Sequence, residues 1–247
     1  MKSNEISRNL GEGDAEDFRR QLFALTEWLY EGFHFAIMSV YEFPELERKL
    51  RTTNPTPEYE KRHDHDFMGF YIGTSRDGED WDLQWVYKSQ PLIERGPDGS
   101  FDKDGVRPPA NIITLNDRHW SFYSGMNERH NLLRRQLAFG LATLRLDGFI
   151  ALEAGDEPGV LITKPFLLEG SQLEVNAEAL NGAVKIEVLD ASGAALPSLR
   201  RSYRNIDELR LRPDWDGGAD LNTLMGKPVR LKFTLRNARL YAFQIRP

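Results

Sequence analysis

The sequence predicts a mainly all-β protein, and its last hundred residues carry the clearest pattern. After Gly148, apolar and polar residues alternate through the segments GVLITKPFLL, SQLEVNAEA, AVKIEVLDASG and PVRLKFTLRNARLYAFQI. Alternation with a period of two is typical of strands that have one buried and one exposed face. Turn sequences such as DASG, NGA and DGGAD separate these segments at short intervals. This layout predicts an antiparallel β-sandwich.

The first 150 residues contain aromatic and β-branched segments that also predict strands. They are FHFAIMSVY, DFMGFYIGTS, NIITL and HWSFYSG. The same order of segments occurs twice: an apolar segment, a turn, an aromatic strand, a polar loop and a strand that ends in Asp-Gly. The two dipeptides are Asp77-Gly78 and Asp147-Gly148. This repeat predicts two β-propeller blades with loops of different length. The alternative is two unrelated meanders that share a common turn dipeptide.

Few segments favour helix. An amphipathic helix is predicted from Asp14 as N-cap to Tyr30, with Phe18, Leu22, Leu25 and Leu29 on one side. Short helical turns are predicted in FPELERKL (43–50) and NLLRRQL (131–137). The resulting organisation is a polar segment at 1–16, two blades at 17–150 and a β-sandwich at 151–247.

Composition excludes several classes of function. The net charge is −6, with acidic and basic residues mixed along the chain, so we expect no nucleic-acid partner and no membrane partner. The absence of cysteine excludes disulfides, thiolate metal sites and a cysteine nucleophile. No apolar run approaches ~18 residues, and the polar start MKSNEISRNL is unlike a signal peptide. As written, the chain is expected in the cytoplasm, although the localisation of the protein stays open.

The ordered series SRDGEDW, QPLIERGPDGSFD, HWSFYSG and GLATLRLDGFIALEAGDEPGVLITKPF resembles the C-terminal half of the five-bladed β-propeller glycoside hydrolases. This group contains invertase-like and arabinosidase-like enzymes of the family 32 and 43 type. The resemblance runs from about Asp17, and TLRLDGF, TKPF and NARLYAFQI look specific to bacterial members. It implies blade strands ending in a Ser-x-Asp-Gly-x-x-Trp turn and a C-terminal β-sandwich. The sialidase motif Ser-x-Asp-x-Gly-x-Thr-Trp does not fit SRDGEDW.

The resemblance also implies that the residues for acid-base chemistry lie on earlier blades, which this sequence does not contain. Propellers usually close with four or more blades, and two are visible here. We therefore expect a truncated or split glycosidase-related chain and transfer no catalytic residue by motif.

Blade topology nevertheless places three polar clusters on one face, at 62–66, 102–107 and 127–130. Glycoside cleavage needs two carboxyl groups, and the carboxylates that qualify are Asp64, Asp66, Asp102 and Glu128. Neighbouring side chains that are suited to sugar hydroxyls, and so predicted to bind substrate, are His63, His65, Arg107, Arg129 and His130.

Several of these candidate site residues also fit a purely structural role. The HDHD sequence at 63–66 has ligand types that suit calcium or zinc, yet such residues also occur in solvated loops, and we predict no metal or cofactor. Asp102 is also suited to cap a turn, and Glu128-Arg129-His130 to form a rim ion pair. Three tryptophans are candidates either for sugar stacking or for the core: Trp81, Trp85 and Trp120.

Three functional hypotheses follow. The chain is a piece of a glycosidase that acts only when a complementary blade-bearing chain completes it, or it is a non-catalytic carbohydrate-binding module. The third hypothesis is a structural protein that self-associates into a homo-oligomer through exposed blade edges.

Overall fold

The computed structural model describes residues 20–42, 66–130, 132 and 134–247. The chain divides into two compact units, one ending at Leu144 and the other starting at Arg145. Nearly all regular structure in the described residues is β, which confirms the predicted fold class. No helix in the described part of the chain is both long enough and apolar enough to cross a membrane.

The first unit contains an eight-stranded sheet. Its elements are β1 (Arg20–Tyr30), β2 (Phe33–Glu42), β3 (Phe67–Ser75), β4 (Trp81–Asp82), the short helix α1 (Gln84–Tyr87), β5 (Gly105–Arg107), β6 (Ile113–Leu115), β7 (Arg118–Met126) and β8 (Leu137–Arg145). The strand order is β1-β2-β3-β5-β7-β6, with β4 paired to β3 and β8 paired to β7. The strands predicted from the four aromatic segments are all present.

The helix predicted from Asp14 to Tyr30 is wrong for its described part. Residues Arg20–Tyr30 form β1, which pairs antiparallel with β2 along its whole length. Glu31 and Gly32 both have positive φ and make the two-residue turn that favours a hairpin. The leucines at helical spacing were misleading because non-local pairing with the apolar strand β2 overrides local periodicity. The other two predicted helical segments lie wholly (43–50) or partly (131–137) outside the described residues.

The core of the first unit lies against β2 and β3. Ala36, Met38 and Val40 point to one face of β2 and pack with Tyr71 of β3. Leu83 and Val86, at the start of and within α1, close this cluster. Seven consecutive residues of β2, from Phe35 to Tyr41, are buried, so this strand is covered on both faces.

The two predicted repeats join in one sheet. Met68 of β3 pairs in parallel with Gly105 of β5, and Gly105 pairs antiparallel with Met126 of β7. A Cβ atom at position 105 would lie 2.1 Å from Met126 Cε, so a larger residue there would displace the Met126 side chain. The junction brings the start of β3, the start of β5 and the end of β7 to the same place.

The second unit contains a seven-stranded antiparallel sheet. Its elements are β9 (Leu152–Ala154), β10 (Gly159–Ile162), β11 (Phe166–Leu167), β12 (Gln172–Asp190), β13 (Ala195–Leu211), 3₁₀ turns at Asp216–Gly218 and Leu221–Leu224, β14 (Pro228–Arg236) and β15 (Ala238–Arg246). The long strand β12 pairs with β15 through its first half and with β14 through its second half. Side chains of both halves, including Val175 and Ile186, enter one apolar core with Phe233.

Candidate functional site

An open cavity of about 540 Å³ lies in the first unit, at the junction of β3, β5 and β7. Phe67 begins β3, and Glu128 and Arg129 follow the end of β7. The remaining lining comes from Leu132 and from two loop segments, 94–98 and 103–104. The paired register of Met68, Gly105 and Met126 explains this convergence, because the adjoining loops must leave the sheet together.

Phe67 carries a guanidinium group over its ring from each of two arginines. Arg95 Cζ lies 3.6 Å and Arg129 Cζ 3.2 Å from the ring centroid. Two guanidinium groups cannot share one face at these distances, so they lie on opposite faces of the ring. Cation–π attraction offsets part of the repulsion between two like charges held so close together. This stack therefore fixes both planar donor groups at the cavity wall.

The ionic partners of the two arginines are unequal. Asp104 is buried and pairs with Lys103 at 2.7 Å and with Arg129 Nε at 3.6 Å. Arg95 Nη1 donates to the carbonyl of Lys103 at 3.3 Å. Burial lowers the pKa of Arg95, and the charge of Arg129 contributes to the same shift. Within the described part of the chain, Arg129 Nη1 is buried and has no hydrogen-bond acceptor.

Three carboxylates of the cavity have no such partner. Among the described residues, the side chains of Glu94, Asp98 and Glu128 form no hydrogen bond or ion pair. Glu94 and Asp98 are exposed, whereas Glu128 is partly buried beside Arg129. The cavity thus offers unpaired acceptors next to a partly exposed arginine, so a ligand with both hydroxyl donors and acceptors would match it.

A buried polar network lies close to Arg95. Tyr71 Oη donates to Glu42 Oε1 at 2.5 Å, and Arg20 Nε lies 3.8 Å from the same oxygen. Burial and the charge of Glu42 raise the pKa of Tyr71 far above its usual range. The Glu42 charge also favours the charged form of Arg95. Only the sheet register brings Arg20, Glu42 and Tyr71 together, so local sequence patterns do not predict this network.

Asp102, a predicted catalytic candidate, is buried and is not part of the cavity lining. Its carboxylate accepts hydrogen bonds from Ser100 Oγ at 2.8 Å and from Tyr123 Oη at 2.9 Å. Burial and the bond to Asp102 raise the pKa of Tyr123 to about 12. The contacts of Asp102 are those of a residue that holds its loop onto β7.

The other predicted site residues are dispersed. Glu128 and Arg129 line the cavity, whereas Arg107 lies over Phe23, with Cζ 5.3 Å from the ring centroid. His130 packs edge-on against Tyr41, with centroids 5.2 Å apart. Asp66 is buried immediately before β3. His63, Asp64 and His65 lie outside the described residues, and the described residues contain no cluster of three metal-ligating side chains.

The SRDGEDW turn is held by its own side chains. Ser75 Oγ accepts from the backbone N–H of Gly78, and Asp77 Oδ1 accepts from those of Glu79 and Asp80, all at 2.9 Å. The hydrogen bonds from the backbone of Asp80 and then Glu79 lower the pKa of Asp77 to about 2. Trp81 Nε1 donates to the Gly78 carbonyl at 3.1 Å, and its ring packs against the core of the first unit. Asp77 and Trp81 therefore have structural roles.

Phe67, Glu94, Arg95 and Asp98 lie outside the predicted polar clusters, and Asp104 lies within the cluster at 102–107 without being a predicted catalytic candidate. Phe67 resembles other aromatic residues in strands. Asp98 and Asp104 stand in the loop GPDGSFDKDG, which contains three Asp residues with nothing to distinguish them, and Glu94 stands just before this loop. The one available signal was that a charged segment, ERGPD, follows closely after the apolar pair Leu92 and Ile93.

Comparison with known proteins gives weak structural likenesses and no sequence relative. No protein-family model and no curated protein matches the chain. The Bombyx mori GH32 beta-fructofuranosidase BmSUC1 is similar at 10% identity, over 92% of this chain and 80% of that one, with a TM-score of 0.27. A glycoside hydrolase family 43 arabinoxylan arabinofuranohydrolase from Bacillus subtilis, solved with cellotetraose, is similar at 8% identity, over 90% of this chain and 53% of that one, with a TM-score of 0.24. Both are glycoside hydrolases.

Proposed function

We propose that this protein binds carbohydrate in the cavity at the junction of β3, β5 and β7. The observation that carries the proposal is the fixed pair of guanidinium groups on Phe67 beside the unpaired carboxylate of Glu128. Each sugar hydroxyl both donates and accepts, and neighbouring hydroxyls match planar carboxylate and guanidinium groups. The Arg129 side chain lines the cavity and is about a quarter exposed, so part of it is open to a hydroxyl oxygen.

The size of the cavity supports a small sugar ligand. Its volume of about 540 Å³ lies within the ~300–1,000 Å³ of small-molecule pockets. The lining is mainly polar, and Phe67 is occupied by arginines on both faces, so recognition rests on hydrogen bonds more than on stacking against the ring. A strongly apolar ligand would leave the charged groups desolvated and unpaired.

A glycan array followed by calorimetric titration of the strongest hit tests this proposal. We expect saturable binding that Glu128→Gln and Arg129→Lys each weaken by about tenfold, since each removes a charge-assisted or bidentate hydrogen bond. Matched controls are Glu157→Gln and Arg118→Lys, at exposed positions away from the cavity lining. No glycan binding, or equal losses in the cavity variants and the controls, would contradict the proposal.

A second candidate function is glycoside hydrolysis by the same cavity. It is favoured by one asymmetry: Asp104 is ion-paired with Lys103, whereas Glu128 is not paired. An acid-base pair needs two carboxyl groups in different environments, so that one donates a proton while the other stays ionised. In this function Glu128 is the proton donor and Asp104 the carboxylate that stabilises positive charge on the sugar.

Hydrolysis is tested with aryl glycosides, whose phenol release is measured directly. If the cavity is catalytic, Glu128→Gln abolishes the release of a poor leaving group but retains much of that of a good one, since only the poor leaving group needs protonation. If the protein binds carbohydrate but hydrolyses no aryl glycoside, the hydrolytic function is contradicted and the binding function is retained.

A further inference from the structure

The strand β8 leaves one edge of the first unit's sheet open. Among the described residues, β8 pairs with β7 and with no other strand. Its sequence, LAFGLATLR, contains no charge before Arg145 and no proline. Exposed edges normally carry lysine, proline or a bulge that prevents pairing with another chain. Alternate residues of β8 therefore present, on the side away from β7, backbone N–H and C=O groups without such protection.

An apolar face adjoins this edge. Gly140 faces the ring of Tyr123, because a Cβ atom there would lie 2.4 Å from Tyr123 Cζ. Since side chains alternate along a strand, Phe139 and Leu141 point to the opposite face. Phe139 is 85% exposed, and at least half of each of the following side chains is also exposed: Ile113, Leu115, Phe122, Leu137 and Leu141.

Three neighbouring strands contribute to this face. Ile113 of β6 pairs with Trp120 of β7, so Ile113 and Leu115 share the face of Trp120 and Phe122. At ~150–250 Å² for each aromatic side chain and similar values for leucine, the six exposed side chains present on the order of 600 Å². This reaches the upper end of the ~300–600 Å² found for the largest patch on a monomer.

The sequence of β8 complements itself. If two copies of β8 pair antiparallel about Leu141, Leu141 lies opposite its own equivalent, Phe139 opposite Thr143, and Leu137 opposite Arg145. No like charges meet in this register, and the apolar side chains of both copies lie on one face. A symmetric pair also closes, so both β8 edges are used and neither is left for a third copy.

We propose that two copies of this chain associate through antiparallel pairing of their β8 strands, with the exposed side chains of Leu137, Phe139 and Leu141 from both copies adjacent on one face of the joined sheet. The two sheets then continue across the dimer. The cavity lined by Phe67 and Glu128 is built within one copy, so the dimer presents two such cavities.

Sedimentation velocity over a concentration series tests the proposal with the full chain. The wild type is expected to be dimeric, and Leu141→Lys to raise the dissociation constant by more than about 100-fold, since it removes a buried leucine from each copy and places two lysines opposite each other. Leu167→Lys is the matched control: an equally exposed leucine on β11 of the second unit. Circular dichroism shows whether each variant is folded.

Hydrogen exchange of the wild type gives a second readout that needs no variant. Amides of residues 137–145 should exchange more slowly at associating than at dissociating concentrations, while those of β14 should not change. A wild type that stays monomeric throughout the series overturns the proposal. So does a dimer that Leu141→Lys and Leu167→Lys affect equally, or whose 137–145 amides show no dependence on concentration.

Discussion

Tyr123 Oη donates a hydrogen bond to Asp102 Oδ2 at 2.9 Å, in the interior of the first unit. The bond joins β7 to the loop that precedes β5, across 21 positions of the chain. Asp102 also accepts from Ser100, so both oxygens of this buried carboxylate are used. The interaction stabilises the loop whose next residues, Lys103 and Asp104, line the cavity.

Tyr123→Phe should lower the free energy of unfolding by about 1–3 kcal/mol, because it leaves a buried carboxylate with one partner fewer. Burial and Asp102 raise the pKa of Tyr123 to about 12, above the ~10 of an unfolded tyrosine. The protonated tyrosine is therefore favoured in the folded state, and its contribution is complete below about pH 10 and lost as the pH rises through 12. Urea unfolding of both proteins over this range measures the difference.

The partner variant Asp102→Asn provides the control for this pair. If the hydrogen bond carries the effect, Tyr123→Phe and Asp102→Asn are non-additive in a double-mutant cycle. Simple additivity would show that the two side chains contribute separately.

Glu174→Gln should destabilise the second unit. Glu174 is buried in β12 and accepts from Arg212 Nε at 2.9 Å, Arg246 Nε at 3.1 Å and Gln244 at 2.8 Å. The partner arginines are more than half exposed and regain water when the charge is removed, so the expected loss is about 1–3 kcal/mol rather than that of a fully buried pair.

The same residue predicts an acid dependence. Hydrogen bonds from Arg212 and then Arg246 lower the pKa of Glu174 in the folded state. Its stabilising contribution is thus present above the unfolded value of ~4.3 and lost as the pH falls through the folded value. Thermal unfolding against pH should show a smaller acid sensitivity for Glu174→Gln than for the wild type, with Glu157→Gln unchanged.

Phe67→Leu should lower the free energy of unfolding by about 1–2 kcal/mol, because it removes the ring that two guanidinium groups share. Phe67→Tyr keeps the ring and should retain most of the stability. Chemical unfolding of the two variants needs no ligand, so it tests the stack independently of carbohydrate binding. Equal stability of the leucine and tyrosine variants would show that the ring's interaction with the arginines adds little.

Phe233→Ala should destabilise the second unit by about 3–5 kcal/mol, since it opens a cavity in the core beneath β14. Phe243 provides a matched comparison: its ring centroid lies 5.3 Å from that of Phe233, but 37% of the residue is exposed. Phe243→Ala should therefore lower the free energy of unfolding by clearly less than Phe233→Ala does. Hydrogen exchange of the β12 amides measures both changes within the second unit, and similar losses for the two variants would place the core elsewhere.

The sequence by itself determined most of the strands and the local turns, because these depend on neighbouring residues. The alternation in PVRLKFTLR is matched position by position by the burial of β14. Ser75 and Asp77 make their turn with backbone groups at most three residues away. Such features need no knowledge of distant segments.

Only the tertiary structure determined that residues 20–30 form a strand and which residues line the cavity. The segment of β1 has leucines at helical spacing, yet it forms a strand because it pairs with the continuous apolar strand β2. Asp102 and Asp104 are two residues apart in one loop, yet Asp102 bonds to Tyr123 and Asp104 lines the cavity. These different contacts follow from the pairing of Gly105 with Met68 and Met126. The paired residues are far apart in the chain, so local sequence patterns do not predict their contacts.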